Sequence, residues 1–165
     1  MPSYNLLKIS LLIAITMTLN IASATESEHS HKHESGHDEK LINIPPLTLD
    51  QGNKWPIDES LHIGMTRIKT SMEKNINDIH YKTFKSKQYQ TLSIEIQNHL
   101  SYLFAHCKLP KNADEQLHSL LFSIMQGSEK MNIAENKREG AIAIIKALQK
   151  YPEYFQDEKW QPLQH

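Results

Sequence analysis

Residues 58–79 read DESLHIGMTRIKTSMEKNINDI, and this stretch decides the fold class. Its apolar residues follow one another at intervals of three and four, which places them on one face of an α-helix. Asp58 stands just before the first of them and has a side chain suited to capping a helix N-terminus. The stretch therefore predicts one amphipathic helix from Asp58 to Ile79, with an apolar face made of Leu61, Met65, Ile68, Met72, Ile76 and Ile79.

Three further segments toward the C-terminus have the same periodicity. The second predicted helix runs from about Ser86 to Cys107, and Pro110 stops it. The third starts near Asn112 or Asp114, and the fourth spans about Ala134 to Tyr151. The residues predicted to face inward are Leu92, Ile96, Leu100, Leu103 and Cys107 on the second helix, Leu117, Leu121, Ile124 and Met131 on the third, and Ala141, Ile142, Ile145 and Leu148 on the fourth.

Four amphipathic helices with short connections and no strand pattern predict an all-α fold, an antiparallel four-helix bundle over residues 58–165. A three-helix core with one loosely attached helix is the structural alternative. Residues 41–57 are predicted to be an irregular linker, because Pro45-Pro46 blocks a helix. Trp55 is too large an apolar group for a free linker, so we expect this segment to pack partly on the domain. The aromatic residues expected to fold back over the end of the bundle are Tyr154, Phe155 and Trp160.

The first 24 residues have the features of a signal peptide. Lys8 and the amino terminus supply positive charge, an uncharged apolar run follows, and Ala22-Ser23-Ala24 matches the cleavage pattern. The apolar run of about a dozen residues is short for a membrane-spanning helix, which needs roughly 20. We therefore predict export, cleavage after Ala24, and a mature chain that does not insert into the membrane.

Residues 25–40 contain no aliphatic or aromatic residue, so this segment is predicted to be disordered. It carries alternating histidines that place several imidazoles within reach of one ion. Neutral imidazole is a good ligand for zinc and copper, and the neighbouring carboxylates can complete the coordination. The alternative is a solvated tail whose histidines have no selected partner. The predicted metal ligands of this segment are His29, His31, His33 and His37.

A second group of candidate metal ligands lies in the helical part of the chain. His106 and Cys107 end the second predicted helix, and His118 lies near the start of the third. If these helices are antiparallel neighbours, the three side chains approach one end of the bundle, where zinc or copper can use them. Met125 lies two turns after His118 and would add a thioether, a ligand that Cu(I) prefers. The alternative is that each histidine bonds to water or backbone at the edge of the bundle.

Other classes of function find little support in the sequence. No serine nucleophile elbow, HExxH, CxxC or phosphate-binding glycine loop is present, which argues against an enzyme. Lys and Arg, 18 in all, nearly balance the 19 Asp and Glu and form no basic stripe, which argues against nucleic-acid binding. Covalent haem is excluded because CxxCH is absent. A b-type haem held by Met65 with His106 or His118 stays open as an alternative.

Three segments of the chain carry a resemblance to a known family. They are DESLHIGMTRI (58–68), HCKLPKNADEQLH (106–118) and GSEKM (127–131). Together they resemble a family of small exported proteobacterial proteins that have a His-rich leader and a helical domain. The resemblance covers about residues 47–155 and implies export in a Gram-negative cell and a periplasmic location. The family has no firmly assigned activity, so the resemblance transfers no functional residues.

These observations lead to a ranked set of functional hypotheses. The first is a non-enzymatic periplasmic protein that captures or buffers copper or zinc. The second is an interaction or stress-adaptor module that binds another envelope protein and carries an incidental His tail. The b-type haem protein is the third.

Overall fold

The computed structural model describes residues 45–164, so the predictions for residues 1–44 lie outside the described residues. These include the signal peptide, the His29–His37 tract and the first part of the linker. The described part is all-α, as predicted, and contains no β-strand. It has five helices, which are α1 (Glu59–Glu73), α2 (Ile76–His80), α3 (Ser86–His106), α4 (Lys111–Ile133) and α5 (Lys137–Tyr154). Within residues 45–164 no helix combines the length and apolar character that crossing a membrane requires.

The first predicted helix is interrupted after α1. Asp58 caps it as expected, since its Oδ1 accepts a hydrogen bond of 2.7 Å from the Leu61 N–H. At the other end the Asn75 side chain donates to the carbonyl oxygen of Ser71 at 2.8 Å. This is the carbonyl that the backbone N–H of Asn75 would bind in a continuing helix, and that N–H bonds to Met72 instead. The prediction of one helix to Ile79 was therefore wrong, although Ile76 and Ile79 are both buried.

The second predicted helix begins at Ser86 as α3, as expected, whereas the third and fourth begin at other residues than predicted. α4 begins at Lys111 directly after Pro110, and no side chain caps it. Asp114 is already inside the helix, because its own N–H bonds to the carbonyl of Pro110 at 2.9 Å. Its carboxylate therefore acts on the positive end of the helix dipole rather than as a cap. α5 begins at Lys137, three residues later than expected.

The core lies between the long helices. α4 packs against both α3 and α5, and α1 packs mainly against α3. The predicted inward residues of the first three helices are buried, except that Cys107 is half-buried. On α5 the inward face is rotated from the predicted one. Ile142 and Ile145 are only half-buried, whereas the fully buried or nearly buried residues of α5 are Ala141, Ile144, Ala147, Leu148 and Tyr151.

Two helix crossings bring backbones into close contact. At the α3–α4 crossing Ser93 and Ser128 are fully buried, and each hydroxyl donates to the other residue's carbonyl oxygen, at 2.7 and 3.0 Å. At the α4–α5 crossing Gly127 faces Gly140 so closely that a Cβ on either residue would collide with the carbonyl oxygen of the other. Small residues at both crossings therefore set the separation of these helices.

The linker and the C-terminal segment pack on each other, a pairing that the sequence did not predict. The backbone N–H of Trp55 donates to the carbonyl oxygen of Tyr154, and the carbonyl oxygen of Trp55 accepts from the N–H of Gln156. These two bonds form an isolated parallel bridge between Trp55 and Phe155. Trp55, Phe155 and Trp160 are all buried, whereas Tyr154 is half-buried. The segment after α5 is thus part of the domain core.

Candidate functional site

His106 and His118 are both exposed, and each is tied to its own helix. The Nδ1–H of His106 donates to the carbonyl of Tyr102 at 2.8 Å, and the Nδ1–H of His118 donates to the carbonyl of Asp114 at the same distance. A backbone bond to Nδ1 is the support that metal-binding histidines usually have, and it leaves Nε2 as the ligand atom. Each imidazole can therefore offer one nitrogen to an ion from solvent.

Cys107 has a very different environment from these histidines. It is half-buried, and burial raises the pKa of its thiol to about 12, with the nearby carboxylates of Asp58 and Asp114 adding to the shift. Since the thiolate is the metal ligand and the nucleophile, the folded protein holds Cys107 in its unreactive form near neutral pH. This agrees with the position of Cys107 at the C-terminal end of α3, where the helix dipole also disfavours a negative charge.

The predicted ligands do not form one cluster in the described structure. Within residues 45–164 no group of three or more His, Cys, Asp or Glu side chains is placed to hold a metal ion. Met125 is 38 % exposed on α4, and the ring of His118 lies against that of Phe104, with a centroid separation of 6.2 Å. Met65, the proposed haem ligand, is fully buried, whereas its predicted partners His106 and His118 face solvent.

The structure brings together a polar group that the sequence analysis missed, at the α1–α3 crossing. The buried hydroxyl of Ser71 lies 2.6 Å from Oε1 of Glu95 and 3.2 Å from Nε2 of His99. Glu95 and His99 are one turn apart on α3, and their Oε1 and Nε2 atoms are 3.8 Å apart. Burial lowers the pKa of His99 despite the opposing effect of Glu95, so this imidazole is neutral near pH 7.

The Ser71 group resembles a catalytic triad in its residue types but not in its geometry. A carboxylate can only accept, so the short contact means that Ser71 donates its single proton to Glu95. His99 must then donate its Nε2–H to the Ser71 oxygen. In a nucleophilic site the histidine instead accepts the serine proton, and the acid holds its other nitrogen. The group therefore stabilises the crossing of two helices and lacks the arrangement of an activated serine.

A second polar group holds the C-terminal segment. The carboxylate of Asp157 is 1 % exposed and accepts from Nδ1 of His62 at 2.9 Å, from the hydroxyl of Tyr151 at 3.1 Å and from the backbone N–H of Lys159 at 3.2 Å. Burial and the adjacent carboxylate raise the pKa of Tyr151, which keeps it a hydrogen-bond donor. With three donors, this buried carboxylate is well satisfied.

Sequence signals for these two groups were weak. Glu95 and His99 stand four residues apart on a predicted helix, a spacing that places two side chains on one face. Nothing in the sequence pairs them with Ser71, which lies 24 residues before Glu95. The contact of His62 with Asp157 spans 95 residues and arises only when the C-terminal segment folds back.

Comparison with known proteins adds no relative to this description. No family model matches the chain, and neither the curated proteins nor the solved structures provide a match.

Proposed function

We propose that this chain is an exported, non-enzymatic protein that captures or buffers copper or zinc ions in the periplasm through His29, His31, His33 and His37. The observation that carries the proposal is the H-x-H-x-H pattern of residues 29–33 with a fourth histidine at position 37. Four imidazoles within nine residues are close enough along the chain to share one ion. Ala22-Ser23-Ala24 supports export, since it matches the signal peptidase site.

The helical domain can add single nitrogen ligands, and the Nε2 atoms of the exposed His106 and His118 are available for this. A single imidazole supplies one of the roughly four ligands that copper and zinc take, so neither of these histidines makes a complete site by itself.

Calorimetric titration of the mature chain, residues 25–165, with Cu²⁺ and Zn²⁺ tests the proposal. We expect a dissociation constant below about 10 μM for at least one ion, and loss of that binding when the four histidines of the tract are replaced by Asn. Double replacement of His106 and His118 by Gln is the matched control. It is expected to weaken binding only slightly.

The outcomes separate the alternatives. Binding that survives in the tract variant but is lost in the His106 and His118 variant would move the site to the domain. No binding tighter than about 10 μM in the unmodified chain would overturn the metal function. N-terminal sequencing of the protein recovered from the cell envelope tests export, and a chain that starts at Met1 rather than Thr25 would contradict it.

We also propose that α1, α3, α4 and α5 form an antiparallel four-helix bundle. Two contacts between α3 and α4 support this arrangement. Ser93 in the first half of α3 pairs with Ser128 near the end of α4, whereas Phe104 near the end of α3 lies against His118 in the first half of α4. Spin labels on the exposed residues Lys87 and Glu129 would test it. An antiparallel pair brings these two labels within about 10 Å of each other along the helix axis, whereas a parallel pair separates them by about 25 Å.

A second candidate function is binding to another envelope protein. The observation that favours it is the exposure of large apolar side chains, with Phe104 52 % and Ile94 57 % exposed on α3 and Met125 38 % exposed on α4. A stoichiometric partner that co-purifies in the presence of chelator and is lost in Phe104→Ser would support this function. Retention of that partner in Phe104→Ser would exclude this surface.

A further inference from the structure

The end of the domain where α2 meets α5 contains an open groove of about 260 Å³. Its apolar lining comes from Ile76 and Ile79 on α2 and from Ile142 and Ile145 on α5. This lining explains why Ile142 and Ile145, which were predicted to face the core, are only half-buried. The apolar face of α5 extends beyond the residues that the core covers, and the uncovered part, Ile142 and Ile145, faces the groove.

The polar residues of the groove are cationic or neutral. The groove is lined by Arg138, His80, Asn77, Gln149 and Tyr81, and no Asp or Glu of residues 45–164 lines it. Arg138 is half-buried and donates its Nε–H to the carbonyl of Ile79 at 2.9 Å. Within residues 45–164 no carboxylate lies within ion-pair distance of its guanidinium. A half-buried guanidinium without an anionic partner is a favourable place for a carboxylate.

Tyr81 adds a further apolar surface at this groove. It is 73 % exposed, and its ring meets that of His80 edge to face, with a centroid separation of 5.0 Å. Covering part of this aromatic ring with a ligand would favour binding, because burial of apolar area is the main favourable term in association. The groove therefore combines apolar walls, an exposed aromatic ring and one unpaired positive charge.

From this combination we propose that the α2–α5 groove binds a small amphiphilic carboxylate, with its apolar tail on the isoleucines and its carboxylate on Arg138. The volume sets the size of the ligand at roughly ten non-hydrogen atoms, since a water molecule occupies about 30 Å³. A straight-chain acid of eight carbons has this size. The site is independent of the metal-binding tract and would persist if the metal function were wrong.

Calorimetric titration of the mature chain with octanoate and with 1-octanol tests the proposal. These two probes share the tail and differ in charge. We expect octanoate to bind about tenfold more tightly than octanol, as one charge-assisted hydrogen-bond pair provides. Arg138→Gln is expected to abolish this ratio, and Arg138→Lys to retain part of it. Ile142→Ser is expected to weaken both ligands alike, whereas the control Ile133→Ser, at an exposed position outside the groove, changes neither.

Several outcomes would overturn the proposal. Equal affinity of the two probes, or unchanged octanoate binding in Arg138→Gln, would remove the role of the guanidinium. Failure of octanoate to bind at millimolar concentration would remove the site. Self-association that Ile142→Ser abolishes and octanoate does not displace would instead assign the groove to a second copy of the chain. Far-ultraviolet circular dichroism confirms that each variant is folded, and Ile142→Ser provides an independent test if Arg138→Gln is not.

Discussion

The α4–α5 crossing and the α1–α3 crossing each depend on a glycine, but the glycines face different obstacles. At α4–α5, Gly127 and Gly140 face each other's carbonyl oxygens. At α1–α3, Gly64 faces the side chain of Leu103, which can change its rotamer. A carbonyl oxygen is held in place by the backbone hydrogen bonds of its helix, so it cannot rotate away as a side chain can. The first crossing is therefore fixed by backbone contact, and the second is adaptable.

The two crossings also differ in polarity. The contacts of Gly140 at α4–α5 include the backbone of Gly127 and Met131, whereas α1–α3 contains the hydrogen bonds of Ser71, Glu95 and His99. Steric contact sets the separation of α4 and α5, whereas directional polar contacts fix the register of α1 against α3. The α4–α5 crossing is thus a rigid joint between two helices and the α1–α3 crossing an adjustable joint, so mutations should affect the two unequally.

The largest expected effect is at the rigid joint. Gly140→Ala places a methyl group against the Gly127 carbonyl and within 2.8 Å of the Met131 backbone nitrogen. We expect a loss of about 3 kcal/mol in the free energy of unfolding, at the upper end of the cost of overpacking. Urea denaturation measures it. Unchanged stability would show that α4 and α5 can separate freely, and the contrast between the crossings would fail.

The matched substitution at the adjustable joint is Gly64→Ala. We expect a net loss of about 1 kcal/mol, because the overlap with Leu103 is partly relieved by rotation and the alanine favours the helix by about 1 kcal/mol. In a Leu103→Ala background the same change should become neutral or stabilising. A penalty that persists in that background would place the obstacle in the backbone.

The polar contacts of the α1–α3 crossing have a smaller expected effect. Ser71→Ala removes the donor to Glu95 and the acceptor for His99, and we expect a loss of about 1 kcal/mol in thermal or urea unfolding. Ser101→Ala is the control, since Ser101 is exposed and bonds only to the carbonyl of Gln97 on its own helix. Equal effects of the two substitutions would mean that the Ser71 group contributes nothing specific.

The smallest expected effect is a pH dependence at the same crossing. Burial lowers the pKa of His99 below its ordinary value, so the unfolded chain binds a proton more readily than the folded chain. The sign follows from linkage. His99 lowers stability progressively as the pH falls below about 6.5, and has no such effect above it. The difference in unfolding free energy between the unmodified chain and His99→Gln at pH 7.5 and 5.5 isolates this contribution. A difference of the opposite sign would contradict the lowered pKa.

Periodicity predicted the helices well because it depends only on local geometry. The stripe of Leu61, Met65 and Ile68 is buried as predicted, and Asp58 caps α1 because a cap needs only its own first turn. The prediction was wrong where one side chain changed a local hydrogen bond. The side chain of Asn75 ends α1 by binding the Ser71 carbonyl oxygen in place of the Asn75 backbone N–H. Hydrophobic spacing does not reveal this competition.

Local sequence patterns were enough to predict the all-α class, the burial of the main apolar stripes and the packing of Trp55 on the domain. The metal tract of His29–His37 is also a sequence prediction, and it stays one. The long-range contacts became visible only in the folded chain: Ser71 meets Glu95 and His99, His62 meets Asp157, and Ile142 and Ile145 line a groove beside Arg138. The physical reason is that spacing along a chain determines which face a residue occupies, whereas the partner of that face depends on how distant helices pack.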